Sequence, residues 1–497
     1  MFSGGKRVSK PHGLETVSGI AFILLSSLPF HMEQAGSHEG GHQGVTTLLG
    51  NPKKAILKLA WPMMFAMTVQ TLYNLVDAFW VSGLGANALS AVGLFFPFFF
   101  MVMALATGLG MGGGAAVSRR IGAGDKPGAD SVATHTMVYM VLISITMTLP
   151  FILLARPLYT AIGAGETIND TITYSNILFS GTIIIFFSNV ANALLRSEGD
   201  AKRAMFAMIL GGVLNIFLDP IFIYTFDMGV AGAAWATLLS IAISSILLFY
   251  WLFMKKNTYM DFHFKGFHFD RAISKDIFTV GMPASFQQLT MSINMLVLNI
   301  IIIGVAGTDG VAVLTTGWRI STFGIMPLMG ISTAVMSVCG AAYGMRKYGR
   351  MEIALNYAIK LGLIIEIAVA AVILFFAAPI TAVFTQSESA SHLAPDLIRY
   401  FQITWIFLPG VALGMLSSSM FQGTGKGMNS LILTLLRTVI LTPPLALIFA
   451  YTFDMGLDGV WWGLVLANVI GSATSYFWAK SYIRGLKRNA ARNAKRA

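Results

Sequence analysis

Twelve apolar segments, each long enough to cross a lipid bilayer, follow one another after residue 50. A helix needs about 20 residues to span the hydrocarbon core. The chain is 56% hydrophobic and only 11% charged, which leaves too little polar surface for a soluble protein of 497 residues. Long alternating strands are missing from the pattern, which disfavours a β-barrel. The sequence therefore predicts an all-α membrane protein with twelve transmembrane helices. The segments lie near residues 55–81, 88–113, 130–154, 171–193, 203–226, 230–254, 277–303, 310–338, 353–378, 395–421, 428–453 and 456–479.

Basic residues occur in every second loop, and the loops between them carry mainly acids. Loops on the cytoplasmic side of a membrane protein carry an excess of Lys and Arg. Alternation over twelve spans therefore predicts a multi-pass protein of the cell membrane with both termini in the cytoplasm. The net charge of +11 is then explained by the basic cytoplasmic loops, and we expect no nucleic-acid partner. The single Cys339 excludes an internal disulfide. The basic clusters begin at Lys53, Arg119, Arg196, Lys255, Arg346, Lys426 and Lys480.

The first fifty residues do not fit this plan. An apolar run at 17–30 follows Lys6, Arg7 and Lys10 and resembles a signal peptide. A cleaved signal would place residue 51 outside and contradict the charges of the loops. We therefore expect residues 1–50 to be an N-terminal extension, either an over-long start with Met32 as the natural initiator or a peripheral segment.

The sequence repeats itself at a shift of about 221–227 residues, as internal repeats of transporters do. The motif "YTFDMGVAGAAWA" at 224–236 returns as "YTFDMGLDGVWWG" at 451–463, and Pro62 aligns with Pro283. Each copy holds six spans. This predicts two six-helix bundles related by a pseudo-two-fold axis along the membrane normal, with a pocket between them. The predicted parts are an N-terminal lobe at 51–254, a cytoplasmic linker at 255–276, a C-terminal lobe at 277–480 and a basic cytoplasmic tail at 481–497.

Three acids, Asp77, Asp219 and Glu366, lie inside predicted spans. Ionisable groups are costly there and are functional candidates by default. The repeat places Leu298 opposite Asp77 and Ala446 opposite Asp219. This asymmetry favours a specialised role for the first lobe, although a drifted structural residue would give the same pattern.

Polar residues accompany both aspartates at helical spacing. Asn215 lies one turn before Asp219, and Thr237 faces Asp219 across the "FDMG" turn. Pro220 lacks an amide proton, so it leaves the carbonyl of Ile216 without its helical partner. These oxygens suit a proton or sodium better than a soft metal. Further candidates for this pocket are Gln70, Asn74, Tyr174 near the start of the fourth span, and Pro62 as a bending point of the first span.

Two carboxyl groups in one pocket of low dielectric constant repel each other and lose hydration, so we expect at least one to bind a proton or sodium. Binding changes the charge of the pocket and therefore the preferred packing of the first and fifth helices, which gives a two-state element. A neutral hydrogen-bonded pair that only joins two helices is the alternative.

The ordered segments "NPKKAILKLAWPMM", "NLVDAFWVSGLGANALSAVG", "SRRIGAGD", "ANALLRSEGDAKRA" and "GGVLNIFLDPIF" resemble the MATE family, the multidrug and toxic compound extrusion transporters. The likeness covers residues 50–480 and is greatest to the archaeal and DNA-damage-inducible branch of the multidrug/oligosaccharidyl-lipid/polysaccharide exporter superfamily. The resemblance implies an antiporter that exports amphipathic organic cations in exchange for H⁺ or Na⁺, without a further cofactor. It implies a cation site at Asp77, Asn215, Asp219 and Thr237, which would hold Na⁺ if sodium is the coupling ion.

The second lobe offers Arg319, Arg437 and Glu366 inside predicted spans, but no acid on the seventh or eighth helix. We expect an Arg–Glu pair that stabilises this lobe, with contact to an anionic substrate group as the alternative. The 28 Met and 36 Phe residues suit a pocket for organic cations, although contact with lipid explains most of them. The glycine-rich run at 108–116 predicts close helix packing.

The sequence pattern has alternative interpretations besides transport by antiport. A lipid or lipid-linked oligosaccharide flippase is the strongest alternative and would call for a basic groove in the first lobe. A membrane-embedded enzyme is disfavoured because the eight His residues form no catalytic or metal-binding pattern within the spans. A receptor is disfavoured because no large domain lies outside the spans. No ATPase motif is visible, so we expect an ion gradient as the driving force. The expected partners are small organic substrates and the bilayer, and we expect a monomer.

Overall fold

The computed structural model describes residues 39–255, 257–386 and 390–495. The predicted signal-like run at 17–30 and the alternative initiator Met32 lie outside these residues. The described chain is helical throughout its length, apart from short connections and the linker. The helices are α1 Glu39–Leu49, α2 Pro52–Ser82, α3 Ala86–Ala123, α4 Lys126–Leu153, α5 Ala155–Ala161, α6 Ile168–Ser180, α7 Thr182–Ser197, α8 Ala201–Pro220, α9 Gly229–Phe249, α10 Arg271–Gly344, α11 Tyr348–Phe375, α12 Ala377–Phe384, α13 Ala394–Thr404, α14 Phe407–Gly423, α15 Gly427–Leu435, α16 Thr442–Leu447 and α17 Gly456–Ala494.

Several long helices begin at a capping side chain that the sequence supplies. Asn51 accepts hydrogen bonds from the backbone N–H groups of the first turn of α2, and Asp125, Asp200 and Asp270 do the same for α4, α8 and α10. These side chains satisfy amide groups that have no partner within the helix. The four caps fix where the chain turns back into the membrane.

Eight of the described helices are long and apolar enough to cross a membrane, or ten if each of two bent pairs is one span. The bent pairs, Gly165–Ser180 with Thr182–Ser197 and Ser391–Thr404 with Phe407–Gly423, turn by 50° and 52°. The predicted spans 277–303 and 310–338 fall within α10, which is interrupted at Gly307 (φ 63°, ψ −153°), a backbone conformation that glycine adopts without strain. Residues 481–494 of the predicted basic tail are part of helix α17.

The repeated "YTFDMG" turn has the same backbone structure in both copies. A π-helical turn, Ile221–Thr225 in one copy and Ile448–Thr452 in the other, precedes an aspartate with positive φ, 54° at Asp227 and 53° at Asp454. Met228 N donates to Phe222 O, and Met455 N to Phe449 O, both at 3.2 Å. The sequence repeat is therefore also a repeat of local structure at this turn.

The glycine-rich end of α3 packs closely against α10. A Cβ atom added at Gly112 would lie 2.3 Å from the carbonyl oxygen of Ile277, and one added at Gly122 would lie 2.0 Å from that of Ala341. Only residues without a side chain allow backbones to approach this closely. The predicted role of the glycine run in helix packing is confirmed.

The charged residues at 119–130, 196–203, 257–276 and 340–350 are joined by contacts at one end of the helices, which we call the basic end. Arg119 Nη2 lies 2.6 Å from Asp276 Oδ1, and Arg119 Nη1 donates to Gly423 O at 3.0 Å. Arg350 donates to the carbonyls of Leu49 and Gly50, which brings α1 and α11 together. Residues 39–255 and 271–495 are thus held together at this end.

Candidate functional site

Asp77 and Asp219 come together in the first half of the chain. Asp77 lies in the last third of α2, and Asp219 is the penultimate residue of α8, directly before Pro220 and the π-helical turn. Asp219 is completely buried, whereas Asp77 is half-buried. Their carboxyl groups lie close enough to interact directly. The helix packing of α2 on α8 therefore places two acids in one buried site.

Asn215 and Thr237 complete the group. Asn215 Nδ2 donates to Asp219 Oδ1 at 3.0 Å and to Thr237 Oγ1 at 3.3 Å. Asn215 lies one helical turn before Asp219, and Thr237 comes from α9, which returns after the "FDMG" turn. The predicted set of four residues is therefore assembled from three helices, and we call it the aspartate site.

Three oxygen atoms of the aspartate site are buried without a hydrogen-bond partner: Asp77 Oδ1, Asn215 Oδ1 and Asp219 Oδ2. An unsatisfied buried acceptor costs about 1–3 kcal/mol, and more when it is charged. The described residues contain no group of three or more His, Cys, Asp or Glu side chains that could hold a metal ion. The donor set here is instead two carboxylates, one amide and one hydroxyl, all hard oxygen ligands of the kind that bind protons and alkali or alkaline-earth cations.

Two tyrosines lie beside the aspartates. Tyr174 from α6 is buried and lies within electrostatic range of both carboxyl groups, as the sequence predicts. Tyr73, one turn before Asp77, lies in the same range and was missed by the sequence analysis. Its ring packs on the backbone of α8, since a Cβ at Gly212 would lie 2.6 Å from Tyr73 Cδ1. The spacing of four residues between Tyr73 and Asp77 was the available signal.

The remaining first-half candidates lie along α2. Gln70 lies beside the Tyr73 side chain, Asn74 is exposed, and Pro62 is buried inside the helix. The polar stripe predicted on α2 therefore does not lie on one side of the site: Gln70 and Asp77 are turned towards the aspartate site, whereas Asn74 is exposed. The expected substrate pocket between the lobes stays a prediction.

The predicted Arg–Glu pair of the second half is wrong. Glu366 is fully buried, and neither carboxyl oxygen has a hydrogen-bond partner among the described residues. Arg319 is exposed on α10, and the stem of Arg437 packs against Gly471 while its guanidinium lies beside Gly414. Neither arginine pairs with Glu366, because Arg319 is exposed and the guanidinium of Arg437 lies against α14.

A further buried acid, Glu198, lies just beyond α7 at the basic end and was not singled out from the sequence. Its Oε2 accepts a hydrogen bond from Tyr259 N at 2.9 Å, while Oε1 has no partner. Burial, followed by the neighbouring Asp200, raises the pKa of Glu198 from 4.5 to about 8. The acid is buried because the linker folds over it, which no local sequence signal reveals.

Comparison with known proteins agrees with this structure. The model of the MatE family matches residues 62–221 and 283–448, one match in each half. The multidrug export protein MepA of Staphylococcus saprophyticus is 28% identical over 422 residues, which covers 84% of this chain and 91% of that protein. MepA of Staphylococcus haemolyticus is 28% identical over 430 residues, covering 85% and 92%.

Solved structures match over almost their whole length. A MATE protein in complex with MaL6 is 48% identical, with a TM-score of 0.87, and the match covers 90% of this chain and 99% of that one. A transporter from Pyrococcus furiosus, whose binding pocket is described as having reverse polarity that suggests a different function, matches with the same values. This chain belongs to the MatE family, and it is a multi-pass membrane transporter with the fold of the MATE proteins.

Proposed function

We propose that this protein exports amphipathic, often cationic organic compounds in exchange for H⁺ or Na⁺, and that the aspartate site binds the coupling ion. The observation that carries the proposal is the group of three unpartnered buried oxygens on Asp77, Asn215 and Asp219. Membership of a family that includes multidrug export proteins supports the class of substrate.

A proton or a sodium ion would satisfy these oxygens directly. A proton shared between Asp77 and Asp219 removes one negative charge and turns one carboxyl into a donor. Sodium would take the same oxygens together with the Thr237 hydroxyl. In either case the empty site is costly, because two carboxylates in direct contact repel each other. Ion binding therefore changes the relative free energy of arrangements in which α2 and α8 pack differently.

The proposal also includes twelve membrane spans in two halves. Twelve spans result if both bent pairs cross once, α10 crosses twice around Gly307, and α17 crosses despite its lower hydropathy. Six spans then fall in each half, with both termini in the cytoplasm and a pseudo-two-fold axis along the membrane normal. The contacts of Arg119 and of the α3 glycines close the basic end. In this proposal the described arrangement is closed at the cytoplasmic end.

Transport by proteoliposomes tests the proposal. Efflux of a fluorescent organic cation is measured under a proton gradient and, separately, under a sodium gradient, for the parent and for Asp219→Asn. We expect one gradient to drive efflux in the parent and the substitution to abolish this effect. Asp170→Asn, an exposed acid in α6, serves as the matched control. Undiminished coupling in Asp219→Asn would show that the aspartate has only a structural role.

A flippase for lipids or lipid-linked oligosaccharides is the second candidate. The expected basic groove would lie in the first lobe, but a cation of the second half, Arg319, is exposed within α10, where an anionic headgroup could reach it. A scrambling assay with labelled anionic lipid separates the two functions, since a flippase would move the lipid and an antiporter would not.

A further inference from the structure

The loop between the two halves is attached to the first half by a regular set of hydrogen bonds. Its backbone N–H groups donate to side-chain acceptors at the base of the bundle. Tyr259 N donates to Glu198 Oε2 at 2.9 Å, Asp261 N to Asp130 Oδ1 at 2.9 Å, His263 N to Thr134 Oγ1 at 3.2 Å and Asp270 N to His135 Nε2 at 3.0 Å. The loop is therefore a fixed part of the first half, with a defined inner and outer side.

The loop covers the ends of two lipid-facing helix surfaces. On α4, the exposed apolar stripe of Leu142, Ile145 and Leu149 continues at its basic end into Tyr139 and His135. These two residues contact the loop, since His135 lies 4.7 Å from the Phe267 ring and Tyr139 lies 5.9 Å from the Phe269 ring.

The second stripe lies on α9 and the turn that follows it. Exposed Ile246 and Phe249 lead to Phe253, whose ring is 4.7 Å from that of Phe262 and 6.2 Å from that of Phe264. The chain leaves the bilayer at these positions, and the loop begins there. The outer side of the loop therefore lies at the perimeter of the protein, at the level of the lipid headgroups.

The outer side combines exposed aromatic rings with cations. Phe264 and Phe269 are 50% and 61% exposed. Between them the chain reverses at Lys265 and Gly266, where φ is +73° and Phe267 N donates to Phe264 O at 3.3 Å. Aromatic rings that flank cations are typical of membrane–water interfaces.

Three cations, Lys265, Arg271 and Lys275, are exposed beside these rings. Lys265 and Arg271 line a groove of about 780 Å³, and Arg271 and Lys275 line a second groove of about 700 Å³ next to it. In the first groove Asp130 is paired with Lys126 Nζ at 2.7 Å, while Asp270, the cap of α10, keeps its negative charge. The residues that line the second groove include no acid. The second groove consequently carries net positive charge from Arg271 and Lys275.

We propose that this surface, formed by Phe264, Lys265, Phe269, Arg271 and Lys275, binds anionic glycerophospholipids of the leaflet at the basic end. The phosphate headgroups occupy the two grooves, and the rings of Phe264 and Phe269 insert between the headgroups. The proposal does not depend on the transport function, because it concerns the perimeter of the protein and no residue of the aspartate site.

Native mass spectrometry of the full chain in dodecyl maltoside micelles tests this. Dioleoylphosphatidylglycerol and dioleoylphosphatidylcholine are titrated separately, and the affinity for each is measured. The charge variant is Lys265→Gln/Arg271→Gln/Lys275→Gln. Its matched control, Lys202→Gln/Arg346→Gln/Lys347→Gln, removes the same number of charges from exposed positions at the same end that lie outside the loop.

Each Lys or Arg near an anionic surface contributes about 1 kcal/mol, or about fivefold in affinity. We expect the charge variant to bind phosphatidylglycerol about 100-fold more weakly and the control to change little. Phe264→Ser/Phe269→Ser, which keeps every charge, is expected to weaken binding of both lipids. This second variant also keeps the test decisive if the charge variant fails to fold.

Three results would overturn the proposal. The first is a parent protein without preference for the anionic lipid, and the second is an equal loss in the charge variant and its control. The third is full displacement of the lipid by millimolar inorganic phosphate, which would identify a site for free anions instead.

Discussion

The ion pair between Arg119 and Asp276 joins the two halves at the basic end, and its removal is expected to favour a state that is open there. The Arg119 side chain is 10% exposed and that of Asp276 is 31% exposed. One guanidinium connects α3 to α10 through Asp276 and to α14 through the carbonyl oxygen of Gly423. These contacts cannot persist if α3 separates from α10 and α14 at this end.

The magnitude follows from the burial of the pair. A hydrogen bond to a charged group contributes about 1.5–3 kcal/mol, and the exposure of Asp276 reduces this. Asp276→Asn keeps an acceptor at nearly the same position and removes the charge. We therefore expect the free-energy difference between the states closed and open at the basic end to change by about 1–2 kcal/mol. That corresponds to about a 5- to 30-fold change in the ratio of open to closed molecules at the basic end.

Distances between spin labels measure this ratio. Labels at Lys202 and Lys347, both exposed and on opposite halves, are introduced in a Cys339→Ser background. We expect the population with the longer distance to increase in Asp276→Asn. Asp125→Asn is the matched control, because Asp125 pairs with Arg120 at 2.9 Å within the first half. An unchanged distribution in Asp276→Asn, or an equal change in the control, would refute the reasoning.

Two further predictions concern the same end of the molecule. The folded protein holds the proton of Glu198 more tightly than the unfolded chain, so stability is greatest below the unfolded pKa of 4.5 and is lost as the pH rises to about 8. The free energy of unfolding falls by at most about 5 kcal/mol over this pH range. Urea unfolding of Glu198→Gln should lack this pH dependence, and an unaltered profile would contradict the assignment. Gly122→Val would place a Cβ 2.0 Å from Ala341 O and should lengthen the same label distance, whereas Gly93→Val, with no atom within 4 Å, should not. Equal distances in both glycine variants would contradict close packing as the cause.

The sequence predicts the helices well because each span must be apolar over a fixed length. It also predicts most of the aspartate site. Asn215 and Asp219 share one helix face, and Thr237 follows a turn whose length is visible in the sequence. These relations depend on helical spacing and a single short turn, so they need no knowledge of distant contacts.

Features that depend on helix rotation or on distant chain segments were not predictable in the same way. Glu366 is buried without a hydrogen-bond partner, whereas Arg319 is exposed and the Arg437 guanidinium lies beside Gly414. In the sequence Glu198 looks like an ordinary loop acid, because its burial depends on the linker that covers it in the folded protein. The sequence of the linker predicts only a connecting segment, although four of its backbone N–H groups donate hydrogen bonds to side chains of the first half.

In the proposed mechanism, binding of substrate releases the coupling cation from the aspartate site, and counting the released cations tests this most directly. The purified protein is mixed with substrate in weakly buffered solution, and released protons are counted with a pH indicator while bound ²²Na⁺ is followed in parallel. The account predicts that the parent releases one of the two cations on binding substrate and that Asp219→Asn binds substrate without releasing either. Equal release from the variant and the parent would contradict the account.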